Sequence, residues 1–120
     1  MRFYELDTAF VGRAGTAGPH VVICCEYDAL PEIGHGCGHN LFGVACLGAA
    51  LALKSLMQEQ NIPGTIRYYG CPAEETLVGK TFMAKAGLFD DLDAALAWHP
   101  GEINTIWAAS SLAMNSFKVN

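Results

Sequence analysis

Apolar runs and polar breaks alternate along this chain with two distinct spacings. His20 to Cys25 (His-Val-Val-Ile-Cys-Cys) is a continuous, β-branched run, the pattern of a strand buried on both faces. Glu26-Tyr27-Asp28-Ala29-Leu30 follows, and Pro31 blocks its continuation. Leu41 to Gln60 predicts a long helix, with Asn40 placed to cap it and Asn61-Ile62-Pro63-Gly64 to stop it. Gly43, Ala45, Gly48, Ala49, Ala50 and Ala52 keep that helix smooth on several sides, so it can lie close against a sheet; polar residues gather only from Lys54 to Gln60. Thr65 to Cys71 reads as a second strand ended by Pro72, and Leu77 to Ala86 as a shorter helix stopped by Gly87. Ala94 to Trp98 is a third strand, after which Pro100-Gly101 turns the chain. Met1 to Pro19 reads as weak strand or loop at Arg2-Phe3-Tyr4 and Ala9-Phe10-Val11, then as a turn from Gly12 to Gly18. Ile103 to Asn120 reads as extended.

Strand, helix, strand, helix, strand is βαβαβ, which predicts an α/β fold around a parallel sheet. The chain's 120 residues allow at most one domain. An apolar share of 52% against 16% charged residues suggests surface that something else covers. Net charge is −5 with Lys and Arg scattered singly, which leaves nucleic-acid binding little electrostatic basis. The start shows no secretory leader. The longest apolar run, Leu41 to Leu53, is 13 residues, short of the roughly 20 that cross a bilayer, so no membrane association is expected. Five cysteines, an odd number without disulfide spacing, point to reduced thiols in a cytoplasmic protein.

The chemistry concentrates in His35-Gly36-Cys37-Gly38-His39-Asn40. In extended backbone, side chains two apart share a side, so Cys37 and His39 can converge on one ion, and the intervening glycines let the backbone approach it. Ligands in open α/β sheets bind beyond the carboxyl ends of the strands. Asp28 follows the first strand, Glu74-Glu75 the second and His99 the third, so all reach the rim where the hexapeptide lies. A hydrolytic metal site needs N, S or O ligands and a carboxylate to take a proton from water. Cys37, His39, Glu75 and His99 can supply ligands for one or two divalent ions. Glu74 and Glu75, about 100° apart on a helical turn, divide metal binding from proton transfer. Asp28 is placed to accept a hydrogen bond from a ligand imidazole and fix its tautomer.

Competing readings of individual residues rest on the same grounds. A thiol hydrolase built on Cys37 and His39 has no third residue orienting the base. Gly79-Lys80-Thr81 suggests a phosphate loop, but Glu74 stands where that motif needs its first glycine. His35 reads as ordering its loop and His20 as structural. Cys24, Cys25, Cys46 and Cys71 read as small buried thiols. Trp98 and Trp107 read as core packing.

Glu26-Tyr27-Asp28-Ala29-Leu30-Pro31, Gly36-Cys37-Gly38-His39-Asn40, Pro72-Ala73-Glu74-Glu75 and Trp98-His99-Pro100, in this order, resemble the co-catalytic metallo-amidohydrolases of the aminoacylase and carboxypeptidase superfamily. That resemblance implies a three-layer αβα, zinc-exopeptidase-like catalytic domain with a mainly parallel sheet. It further implies two divalent metal ions (Zn²⁺ or Mn²⁺, with Co²⁺ also in use) bridged by Cys37 and held by His39, Glu75 and His99. Bridging hydroxide would attack an amide carbonyl, with Glu74 as general base passing the proton to the leaving amine. The implied substrates are N-acyl or N-aroyl amino acids such as p-aminobenzoyl-glutamate. Hippurate- and indole-acetyl-amino-acid-type hydrolysis is the alternative within enzymes, and a non-catalytic metal-binding or assembly module the alternative outside them. The family's later ligand histidine, its lid and dimerisation domain and its N-terminal helix are not matched. Residues 1–105 are therefore expected to be part of the catalytic domain, and 106–120 the start of the strand leading into the lid. The chain alone is expected to be inactive, and the implied partners are a second copy or a related subunit joined through the lid.

Overall fold

The computed structural model describes residues 6–106 and 108–110. The readings of Arg2-Phe3-Tyr4, of Trp107 and of the chain from residue 111 onward lie outside those residues. Four strands form one sheet: β1 (Phe10–Gly15), β2 (His20–Glu26), β3 (Thr65–Cys71) and β4 (Ala94–Ala97), in the order β1-β3-β2-β4. The helices are α1 (His39–Gln60), α2 (Glu74–Leu77) and α3 (Lys80–Lys85). β2 runs parallel to both β3 and β4, as the βαβαβ reading predicts.

Alternation along the central strands builds the layers. Ile23, Cys25 and Ile66 face α1, where Phe42, Cys46 and Ala50 pack on them at helical spacing. On the opposite face Val22, Cys24, Tyr69 and Cys71 pack with Leu6, Ala9 and Met83 of α3, flanked by Phe82, Leu88, Phe89 and Leu92. Helix, sheet and helix make the three-layer α/β architecture. Burying a side chain such as Phe42 or Met83 contributes about 1.5–3 kcal/mol, which sets the scale of each helix's anchoring.

Three expectations are corrected. Gly12 to Gly15 is strand rather than turn, because β1 pairs antiparallel with β3 from Phe10↔Gly70 to Gly15↔Thr65. Small residues make that pairing possible: a Cβ on Gly70 would overlap the Phe10 ring. Asn40 does not cap α1. The helix starts at His39, and Gly38, in the left-handed region at φ 81°, is the residue before it. The single helix Leu77–Ala86 is two short ones, broken where Val78 turns left-handed at φ 49°; Gly87 (φ 77°) does end the second.

Although only 13 residues of it are continuously apolar, α1 has 22 residues and is long and apolar enough to cross a bilayer by length and composition. In this structure its Phe42–Cys46–Ala50 stripe lies on the sheet, while Leu41, Val44, Leu47 and Leu51 are exposed.

Candidate metal centre

The rim at the carboxyl ends of β2, β3 and β4 collects Asp28, Cys37, His39, Glu74, Glu75 and His99. β2 ends in Glu26 and leads to Asp28; β3 leads through Pro72 and Ala73 into Glu74 and Glu75 at the start of α2; β4 leads to His99. Gly38 brings the hexapeptide into this company. A Cβ there would stand 2.6 Å from Cγ of Pro100, so the loops carrying Cys37 and His99 touch only because residue 38 has no side chain.

Cys37 Sγ lies 3.3 Å from His99 Nε2. One donor atom each from Cys37, His39 and His99 fall within 4.8 Å of one another, and so do one each from Glu26, His39 and Glu74. Glu75 Oε1 is 3.8 Å from His39 Nε2. His39 is therefore shared by two adjacent triads. Its ring is 1% exposed, packed edge-on to Phe42 and to His99 at centroid distances of 5.9 and 5.5 Å.

Asp28 orders this arrangement in two ways. Its backbone carbonyl stands 3.1 Å from His39 Nδ1, and since a carbonyl only accepts, that nitrogen carries the proton. Its Oδ2 accepts the Glu75 backbone N–H at 2.9 Å, pinning the first turn of α2. The main chain of Asp28 faces the ring nitrogen, with Oδ1 of its carboxylate alongside at 3.4 Å.

Three buried polar atoms on this rim have no hydrogen-bond partner: Asp28 Oδ1, His39 Nε2 and Glu75 Oε1. Buried acceptors without donors cost about 1–3 kcal/mol each and call for a ligand. The carboxylates of Glu26, Asp28, Glu74 and Glu75 gather around the His39 ring, and the Lys80 ammonium pairs with Glu26 Oε1. Thiol, imidazole and carboxylate donors around an acidic focus fit divalent cations.

The local field shows in the titrations. Cys37 is pushed up to about 11, first by hydrogen bonding to the Glu75 carboxylate, then by burial and the nearby negative charge. Burial, followed by repulsion from Glu26, raises the Glu74 carboxyl above its usual range.

Sequence reasoning assigns no role to Glu26 or Lys80. Glu26 ends the β2 run two residues before Asp28, a spacing that puts both on one side of extended chain. Lys80 stands within the rejected phosphate-loop reading, and its contact is with a carboxylate. Elsewhere, His20 is structural: its N–H donates to Asp93 Oδ2 at 2.6 Å. The main-chain carbonyl of His35 accepts from Gly38 N at 3.1 Å, a bond that does not depend on its side chain. Cys24, Cys25, Cys46 and Cys71 are buried free thiols. Trp98 packs edge-on against Phe42 yet stays 47% exposed, so it is only partly core.

Acids, imidazoles and a thiol thus converge at the carboxyl rim of a mainly parallel α/β sheet. The chain belongs to Peptidase family M20/M25/M40, whose model matches residues 23–113. It is 42% identical over 135 residues to a p-aminobenzoyl-glutamate hydrolase subunit of Escherichia coli (strain K12), covering 95% of this chain and 28% of that protein. It is 38% identical over 113 residues to Xaa-Arg dipeptidase of Mus musculus, covering 87% and 26%. The chain thus spans little more than a quarter of the length of these relatives. Among solved structures, the Bacillus subtilis YXEP protein, described as a dinuclear metal binding peptidase, shares the fold with a TM-score of 0.69 at 24% identity, over 84% of this chain and 32% of that one.

Proposed function

We propose that this chain forms part of the catalytic domain of a metal-dependent amidohydrolase acting on N-acyl or N-aroyl amino acids of the p-aminobenzoyl-glutamate type. The observation that carries the reading is the buried, partnerless His39 Nε2, with its opposite nitrogen protonated and thiol, imidazole and carboxylate donors around it. Cys37, His39, Glu75 and His99 would hold two divalent ions, which when bound make water acidic and polarise a carbonyl. Glu74 is the general base: its raised carboxyl suits it to take a proton from water and deliver it to the leaving amine. Asp28 positions His39 and Glu75 rather than touching substrate. The Escherichia coli relative is named as a subunit of an aroyl-glutamate hydrolase, which supports both that substrate class and assembly with a further subunit, a second copy being the alternative partner. Five free cysteines support a reducing, cytoplasmic setting.

The short Cys37–His99 contact favours a second reading, a thiol hydrolase. A thiol held up to about 11 is the opposite of an activated nucleophile, and that argues against it. The full-length protein, purified without chelators, is the material for the test. Two divalent ions per chain and turnover of an N-aroyl glutamate, lost on chelation and restored by metal, are expected. Turnover that survives chelation but dies on alkylation overturns the proposal.

A further inference from the structure

Glu26 ends β2 facing the rim, and it is 8% exposed. Its two oxygens do different things. Oε1 takes the Lys80 ammonium, while Oε2 points at His39 Nε2 from 3.2 Å. In the neutral His39 ring, with the Nδ1 proton facing the Asp28 carbonyl, Nε2 presents a lone pair. A lone pair and a carboxylate oxygen at that distance repel unless a cation lies between or beside them. Glu74 brings a third oxygen to the same point, within 4.8 Å of both. Donors held about 2.1 Å from one ion stand roughly 3–4 Å apart, so Glu26 Oε2 and His39 Nε2, 3.2 Å apart, match the spacing of two ligands on one divalent cation, with the Glu74 general base alongside.

We propose that Glu26 is an additional protein donor to the divalent-cation site, and that Lys80 is the counter-charge that turns its free oxygen toward the ion. The proposal rests on the metal-centre reading above and adds a ligand to it. Lys80 serves this geometry in a specific way. By occupying one oxygen it makes Glu26 monodentate, and it offsets one negative charge where the carboxylates of Glu26, Glu74 and Glu75 surround one imidazole. Beyond its pair with Lys80, Glu26 keeps its second oxygen 3.2 Å from His39 Nε2 on the buried rim.

The test uses the full-length protein, Zn²⁺ and Co²⁺ as probes, and three variants: Glu26→Gln, Lys80→Met and the double variant. In Glu26→Gln, chelator competition is expected to show one of the two Zn²⁺ ions bound about 10–100-fold more weakly, and the visible Co²⁺ spectrum to shift with the lost donor. Lys80→Met is expected to keep both ions. Should Glu26→Gln alone fold poorly because it strands the ammonium, the double variant removes both charges, and its Zn²⁺ affinity decides the matter in the same way. Unchanged Zn²⁺ affinity and an unchanged Co²⁺ spectrum in a folded variant that lacks the Glu26 carboxylate overturn the proposal while leaving the metal centre intact. An unmutated protein that takes up no divalent ion overturns both.

Discussion

Gly38 and Pro100 are in contact across 62 residues of sequence, and the contact exists because Gly38 has no side chain. Its backbone sits at φ 81°, where a Cβ is disfavoured, and a Cβ built there would come within 2.6 Å of the Pro100 ring. Gly38→Ala is therefore expected to cost about 1–3 kcal/mol from the left-handed backbone and the overpacking together. The more informative effect is on geometry. Pushing Pro100 away moves His99 off Cys37, so divalent-metal affinity should fall even at temperatures where the variant is fully folded. Denaturant unfolding and metal titration, measured on the same preparation, separate the two; unchanged affinity would show that the Gly38–Pro100 approach does not set the site.

Cys37 predicts the pH dependence of metal uptake. With the Glu75 carboxylate holding the thiol up to about 11, Cys37 is protonated in the metal-free protein at neutral pH. A thiol must lose its proton to bind a metal, so binding releases that proton. Cys37 should then add about a tenfold rise in apparent affinity per pH unit, from neutrality until the pH reaches the thiol's own value. Titration of Zn²⁺ in weakly buffered solution should show this proton leaving. Cys37→Ser should flatten that part of the slope, and a slope unaffected by the substitution would remove Cys37 from the ligand set.

Glu74 and Glu75 are neighbours with different surroundings, and this separates their variants. Glu75 has its backbone N–H pinned by Asp28 and a buried, partnerless Oε1 near His39. Glu74 is raised mainly by burial. In the full-length protein, Glu74→Gln is expected to keep both ions and lose turnover by about 10²–10⁴-fold. Glu75→Gln is expected to lose metal first and turnover as a consequence. Metal content by mass spectrometry beside kcat distinguishes them, and the reverse pattern would exchange their roles.

Much of this was legible in the residues because each central strand is a local apolar run and each chemical group follows a strand end. β2, β3 and β4 emerge nearly as their patterns predict, and the rim follows from parallel topology alone. Features that depend on distant partners were not legible. β1 has weak local propensity and becomes a strand because Phe10 lies over Gly70 and Gly12 beside Tyr68. Nothing local marks the break at Val78, whose left-handed backbone opposes its β-branched side chain. Asn40 looks like a cap by residue type, yet the Gly38 turn starts the helix two residues earlier. Glu26 reads only as part of a motif because its partners, His39 and Lys80, lie 13 and 54 residues further on.

Arg67 and Asp91 provide a test of the fold that does not involve the site. Arg67, on β3, makes a two-nitrogen pairing with the Asp91 carboxylate and also reaches the Tyr69 hydroxyl at 3.2 Å and His20 Nδ1 at 3.1 Å. Asp93 and His20 bond beside it, so this corner ties the segment before β4 to the starts of β2 and β3. The Arg67 guanidinium holds the Asp91 carboxyl down to about 2, below its ordinary 3.8. A carboxyl depressed by folding stabilises the native state above its unfolded pKa, and that contribution disappears as pH falls through the folded value. Asp91 should thus add acid sensitivity between about pH 4 and pH 2. Asp91→Asn is expected to lower Tm at neutral pH, and the difference from the unmutated chain should shrink as the pH drops through that window. Because Asp91 is exposed, salt should narrow the gap as well. A Tm difference that stays constant from pH 6 to pH 2 would mean that the corner is held by packing and backbone hydrogen bonds, with no contribution from the ion pair.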